Sequence, residues 1–211
     1  MDFDFGLTAL GGRFHMDWVH SGANPREVVR GWADLVGVDE DGLEELRLLR
    51  RDVLMLLASP LSDEEVHALW RAAARYYPDF PVEENEPARG RVWLTEIDHE
   101  LHPFLGDSAH EALAMESVND SVQSAVIALA ESLTPRSELP LEPLPAKSVV
   151  AAVERCAREV SPSLAFRFLL RAYSAYDSPV PASLWPRFEE VNQAFGYGEF
   201  MLSTIEYLLE E

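Results

Sequence analysis

Cysteine and lysine are almost absent from this 211-residue sequence, which contains one of each, Cys156 and Lys147. A single cysteine excludes an internal disulfide and agrees with a reducing cytoplasm, where we expect the protein to act. No apolar run reaches the roughly 20 residues that a membrane-spanning helix needs, so we predict no membrane partner. The residues before Gly6 include no basic group, which argues against a secretory signal.

Basic residues are scarce as well: 37 acidic residues face 17 arginines and lysines, which gives a formal net charge of −20. This charge repels phosphate backbones, and the basic residues are scattered, so we expect no direct binding to nucleic acid or to anionic membranes. Hydrophobic residues make up 47% of the chain and aromatic residues 10%, which is enough to bury a core. The composition therefore predicts a folded, acidic protein.

Apolar residues recur at helical spacing along nearly the whole chain, and no segment shows the alternation of a strand. We therefore predict an all-α bundle of about seven to nine helices, built either as one body or as two packed helical subdomains. The predicted helices span residues 25–35, 43–58, 62–77, 92–104, 108–133, 146–160, 162–177, 183–195 and 200–209. The first of these is expected to bury Leu35 together with Val28, Val29 and Trp32.

A boundary is predicted near residue 106, where the helical pattern is interrupted by Pro103 and Gly106. Residues 1–106 would form a first helical domain, and residues 107–211 an additional helical region. Within that region, residues 134–146 contain four prolines and are expected to form an extended connector. The connector is either a crossover within one bundle or a tether.

The most specific motif is Phe14-His15-x-Asp17-Trp18, which follows the pair Gly11-Gly12 and precedes a helix start at Asn24-Pro25. Further along come a leucine-rich helix ending at Ala58, the helix start Leu61-Ser62-Asp63-Glu64-Glu65, Tyr76-Tyr77-Pro78 and Trp93-Leu94. In these features, over about residues 7–105, the chain resembles the immunity proteins of contact-dependent growth inhibition systems.

The resemblance implies a non-enzymatic, cytoplasmic bacterial protein that needs no cofactor and no metal. Such a protein binds and neutralises the cognate toxin domain, often a nuclease, of a contact-dependent or polymorphic toxin system. Within the motif, we expect Phe14 and Trp18 to anchor the segment in the core. His15 and Asp17 would hydrogen-bond to nearby backbone.

Acidic clusters are the candidate toxin-binding groups, because a nuclease presents a basic cleft that an acidic protein can fill. Acids at helix starts also complement the helix dipole, which explains part of the pattern, but those of residues 83–86 lie in a predicted loop. The predicted surface consists of Asp39, Glu40, Asp41, Glu44, Glu45, Asp63, Glu64, Glu65, Glu83, Glu84 and Glu86, with Tyr76, Tyr77 and Phe80 as aromatic anchors.

Two alternatives are weighed against this function. A helical adaptor unrelated to toxins would use a groove among the many aromatic residues of the C-terminal half. A helical metalloenzyme would use the Glu-x-x-His pairs Glu64/His67 and Glu96/His99, whose spacing occurs in carboxylate-bridged di-metal bundles. Such a site also needs inward-facing glutamates on two further helices, and Glu44 and Glu45 stand near a helix start among other acids.

Overall fold

The computed structural model describes residues 3–15, 17–74, 90–106, 120–136 and 145–210, and every structural statement below concerns these residues. They form an all-α bundle, as the sequence predicts. Its helices are α1 (Gly6–Arg13), α2 (Pro25–Val36), α3 (Glu40–Ala58), α4 (Asp63–Ala73), α5 (Gly90–Leu105), α6 (Asp120–Glu131), α7 (Ala146–Glu159), α8 (Pro162–Ala175), α9 (Trp185–Ala194) and α10 (Ser203–Glu206). Short 3₁₀ turns occupy Trp18–His20 and Glu199–Met201.

Side-chain caps fix where several helices begin. Asp39 accepts the backbone N–H of Gly42 at 2.9 Å, so α3 begins at Glu40 rather than near residue 43. Ser62 and Glu65 form a capping box at the predicted start of α4, in which each side chain accepts the other residue's backbone N–H. Ser161 caps α8 by accepting the backbone N–H of Leu164 at 3.1 Å. In these three helices, the capping residue therefore determines where the helix begins.

One hydrophobic core runs through the described parts of both predicted regions. Helices α7 and α8 from the second region pack on α4, and α8 also meets α1. The division of the chain at residue 106 stays a prediction. Whatever the division, the second region contributes to the same apolar interior as the first.

A buried ion pair joins the two regions. Two nitrogens of the Arg167 guanidinium on α8 each donate to an oxygen of the Asp52 carboxylate on α3 at 2.8 Å, and both side chains are fully buried. Arg167 also donates to the carbonyl of Phe5 at 2.8 Å, and Asp52 accepts the N–H of Leu7 at 2.9 Å. Gly6 has φ +62°, and a Cβ there would lie 2.1 Å from an Asp52 oxygen. The start of α1 is thus held between α3 and α8.

Two local predictions are wrong. Leu35 is 69% exposed, because the buried stripe of α2 passes from Trp32 and Ala33 to Val36 instead. The helix predicted over 200–209 is broken into a 3₁₀ turn, the single turn of α10 and the strand Leu209–Glu210. This strand pairs in parallel with Val180–Pro181, although no strand was expected. The carbonyl of Leu208 accepts the N–H of Val180 at 2.9 Å, so pairing between strands replaces helical hydrogen bonds there.

Some predicted elements are seen only in part. α6 is the second half of the helix predicted over 108–133, and residues 107–119 lie outside the described residues. Of the predicted connector, residues 134–136 are non-helical and α7 begins at Ala146, while residues 137–144 lie outside the described residues.

Candidate partner-binding surface

The apolar members of the opening motif lie in an aromatic cluster. Phe14 is 1% exposed and Trp18 is 8% exposed, and their ring centroids are 5.7 Å apart. Phe14 packs edge-on against Trp70 of α4 at 5.5 Å and Trp93 of α5 at 6.1 Å. Such aromatic pairs stabilise the fold by more than the burial of their apolar area alone provides. The cluster therefore fixes the segment after α1 against α4 and α5.

The polar members of the motif make a local turn. His15 and Asp17 are both exposed, and Nδ1 of His15 accepts the backbone N–H of Asp17 at 3.2 Å. Asp17 precedes the 3₁₀ turn but its side chain does not cap it. This geometry gives the motif a structural role at the surface of the aromatic cluster.

The acids at the start of α3 differ in what they contact. Glu40 and Glu44 share Arg47, whose Nη1 lies 2.7 Å from Glu40 and 3.3 Å from Glu44. The hydrogen bond from Arg47 to Glu40, and to a lesser extent the one to Glu44, raises the pKa of Arg47. Asp39 caps the helix, whereas Asp41 and Glu45 contact no basic group in the described part of the chain. One arginine thus offsets part of a larger negative charge.

This charge continues into the end of α2. We call residues 34–45 the acidic corner; it contains six acids and no lysine or arginine. Asp34 is exposed on the last turn of α2. Two apolar side chains are exposed among these acids, Leu35 at 69% and Val38 at 77%. Sequence reasoning named five of the acids but missed Asp34, Leu35 and Val38. Leu35 stands seven positions after the buried Val28, so helical periodicity alone places it beside the stripe and does not reveal its exposure.

The other residues of the sequence-based proposal fall into two groups. Tyr76, Tyr77, Phe80, Glu83, Glu84 and Glu86 lie outside the described residues, so their role stays a prediction. The helix-start acids of α4 are engaged within the fold. Asp63 pairs with Arg91 at 3.3 Å, and Glu65 pairs with Arg155 at 2.8 Å in addition to its capping role. Arginines therefore neutralise the acids of the acidic corner less completely than they neutralise Asp63 and Glu65.

A groove of about 410 Å³ opens between α2 and α5. At its base the buried carboxylate of Glu100 binds Arg26 at 2.5 Å and Arg30 at 2.6 Å. Burial opposes ionisation of Glu100, but the hydrogen bonds from both arginines outweigh it and hold its pKa below the ordinary value. Because both oxygens are occupied, this carboxylate is suited to joining α2 to α5 rather than to proton transfer.

The candidate metal pairs gain no further ligand in the structure. Among the residues described, no group of three or more His, Cys, Asp or Glu side chains could hold a metal ion. Glu64 lies exposed in the first turn of α4, where its own backbone N–H and then Ser62 lower its pKa. Glu96 lines the groove between α2 and α5, and His99 is exposed.

Five aromatic residues of the C-terminal half lie in the core, and Trp185, Phe195 and Tyr197 are partly buried. Phe166, Phe168, Tyr173, Tyr176 and Phe188 are buried, and Phe200 is exposed. Burial raises the pKa of Tyr176 to about 12. Among the described helices, none is long and apolar enough to cross a membrane.

No protein-family model matches the chain, and searches of the curated proteins and of the solved structures gave no match.

Proposed function

We propose that this chain is a cytoplasmic immunity protein, which binds the toxin domain of a contact-dependent or polymorphic toxin system and so neutralises it. The proposal combines the opening motif, which resembles such proteins, with the charge of the molecule. The observation that carries it is the acidic corner: six acids within twelve residues, with no basic residue among them.

Charge complementarity explains why this surface suits a nuclease toxin. A nuclease binds phosphates through arginines and lysines, and an acidic protein surface can occupy the same basic cleft. Complementary charge also accelerates encounter, with association rates that rise as salt is lowered. An immunity protein benefits from fast binding, because the delivered toxin must be captured before it acts.

Co-expression tests the proposal. Bacteria expressing the toxin domain encoded beside this chain's gene are grown with and without the chain, and with a toxin made inactive by mutation as the reference for full growth. We expect the chain to restore growth to that reference. If cells with the active toxin stop growing whether or not the chain is present, the immunity function is excluded for that pair.

A further inference from the structure

We infer that Leu35 and Val38 form the apolar anchor of the interface, and that they insert into an apolar pocket of the toxin domain that is rimmed by arginines and lysines. This inference rests on the proposed function and adds to it the place and the chemistry of the contact. It is carried by the exposure of the two side chains, by the rigidity of the turn beneath them and by the charge around them.

Exposure is the first argument. Leu35 and Val38 are the two most exposed of the large hydrophobic side chains in the described part of the chain, at 69% and 77%. They stand three positions apart across the turn from α2 to α3, so their Cα atoms lie within about 11 Å of each other. Single exposed apolar residues are ordinary on a protein surface, but two in one short turn offer a partner more apolar area from which it can displace water.

Rigidity of the turn is the second argument. A Cβ on Gly37 would lie 2.8 Å from the Ala33 carbonyl oxygen and 3.1 Å from side-chain atoms of Leu46 and Phe104. A Cβ on Gly42 would lie 1.6 Å from the carbonyl oxygen of Val36. The turn is therefore packed directly against the end of α2 and against the core. A partner that binds here orders little backbone, and this reduces the entropic cost of association.

Charge identifies the occupant. Residues 31–46 contain six acids and no base, and Arg47 pairs only with Glu40 and Glu44 of these. A partner whose pocket is surrounded by lysines and arginines gains from these charges, whereas an acidic partner is repelled. A second copy of this chain would bring six more acids to the same place. The corner therefore favours a basic partner over self-association.

Calorimetric titration of the purified chain with the neighbouring toxin domain tests the inference. The double variant Leu35→Gln with Val38→Ser replaces only exposed side chains, so it should keep the native melting temperature. Val92→Gln is the matched control, because Val92 is an exposed apolar residue of α5 at 46%. We expect the double variant to bind at least tenfold more weakly than the wild type and the control to bind unchanged.

A second pair of variants tests the charge argument. Asp34→Asn with Asp41→Asn should lower the association rate severalfold at low salt and have less effect at high salt. Glu189→Gln with Glu190→Gln removes two exposed acids from α9 and should leave the rate unchanged.

The outcomes separate the two proposals. If the wild type binds and the corner variants bind equally well, the inference is wrong and the proposed function stands. If the wild type neither binds nor protects, the proposed function fails and the inference fails with it. Concentration-dependent dimerisation that is lost in the Leu35/Val38 variant, seen by sedimentation, would overturn the choice of a basic partner.

Discussion

Replacing Asp52 with asparagine should destabilise the whole protein, because Asp52 neutralises the only charge of a fully buried arginine. Burial disfavours the charged guanidinium, yet the charge and hydrogen bonds of Asp52 raise the pKa of Arg167 above its ordinary value. A guanidinium is not deprotonated in proteins, so Arg167 stays charged when Asp52 is replaced. Asparagine keeps the size of the side chain but turns an amide N–H₂ group toward the arginine's donors.

The magnitude follows from the number of lost contacts. Asp52 accepts from two guanidinium nitrogens and from the N–H of Leu7. Removing one partner of a buried pair costs about 3–5 kcal/mol, against about 0.3–0.5 kcal/mol for an exposed pair on one helix. Glu154→Gln, which breaks the surface pair with Arg158 on α7, is thus a suitable control.

Urea denaturation followed by circular dichroism measures both variants. For a chain of this size, about 3–5 kcal/mol also corresponds to a fall in melting temperature of roughly 6–20 °C. Combining Asp52→Leu with Arg167→Met removes both charges and should be less destabilising than Asp52→Asn. A loss below about 1 kcal/mol in Asp52→Asn would show that the pair does not hold the two regions together.

Three further predictions concern other groups. Folding holds the pKa of Glu100 below its ordinary value of 4.5. The ion pairs of Glu100 therefore stabilise the fold above pH 4.5 and lose this effect as the pH falls through the lower pKa of the folded state. The free energy of unfolding of Glu100→Gln should thus depend less on pH in acid than that of the wild type, and equal slopes would contradict this. Burial raises the pKa of the Cys156 thiol to about 12, so iodoacetamide at about pH 8 should label it only after denaturation, and rapid labelling of the native protein would show that the site is open. Ser62→Ala removes the cap of α4 and should cost about 0.5–2 kcal/mol by urea denaturation, whereas an unchanged midpoint would mean that the capping box is not formed.

The extent to which the sequence predicts this fold varies with the range of the interaction. Caps act over three residues, so the helix start at Ser62 was predicted correctly, and the helix predicted over 162–177 begins where Ser161 caps α8. The Asp52–Arg167 pair spans 115 positions, and no local pattern joins its members. One signal was present, because Asp52 interrupts the apolar stripe of α3 between Leu49 and Val53, both fully buried. A charged residue on a buried helix face demands a partner of opposite charge.

The candidate surface was predicted in part for a similar reason. Its acids are visible as a run in the sequence, and the structure shows that Asp39 caps α3 and that Glu40 and Glu44 pair with Arg47. The exposure of Leu35 depends on the position of the α2 stripe, which shifts toward Val36 at its C-terminal end. Val38 follows the helix, where periodicity gives no information about burial. Tertiary packing of Gly37 against Leu46 and Phe104 determines how the turn presents both side chains.

Titration of the toxin domain's activity with the purified chain tests the central proposal most directly. If the chain neutralises the toxin by stoichiometric binding, activity should fall linearly and reach zero near one equivalent, and raising the salt concentration should slow the onset of inhibition. Toxin activity that is undiminished at a large excess of the chain would contradict the proposed function.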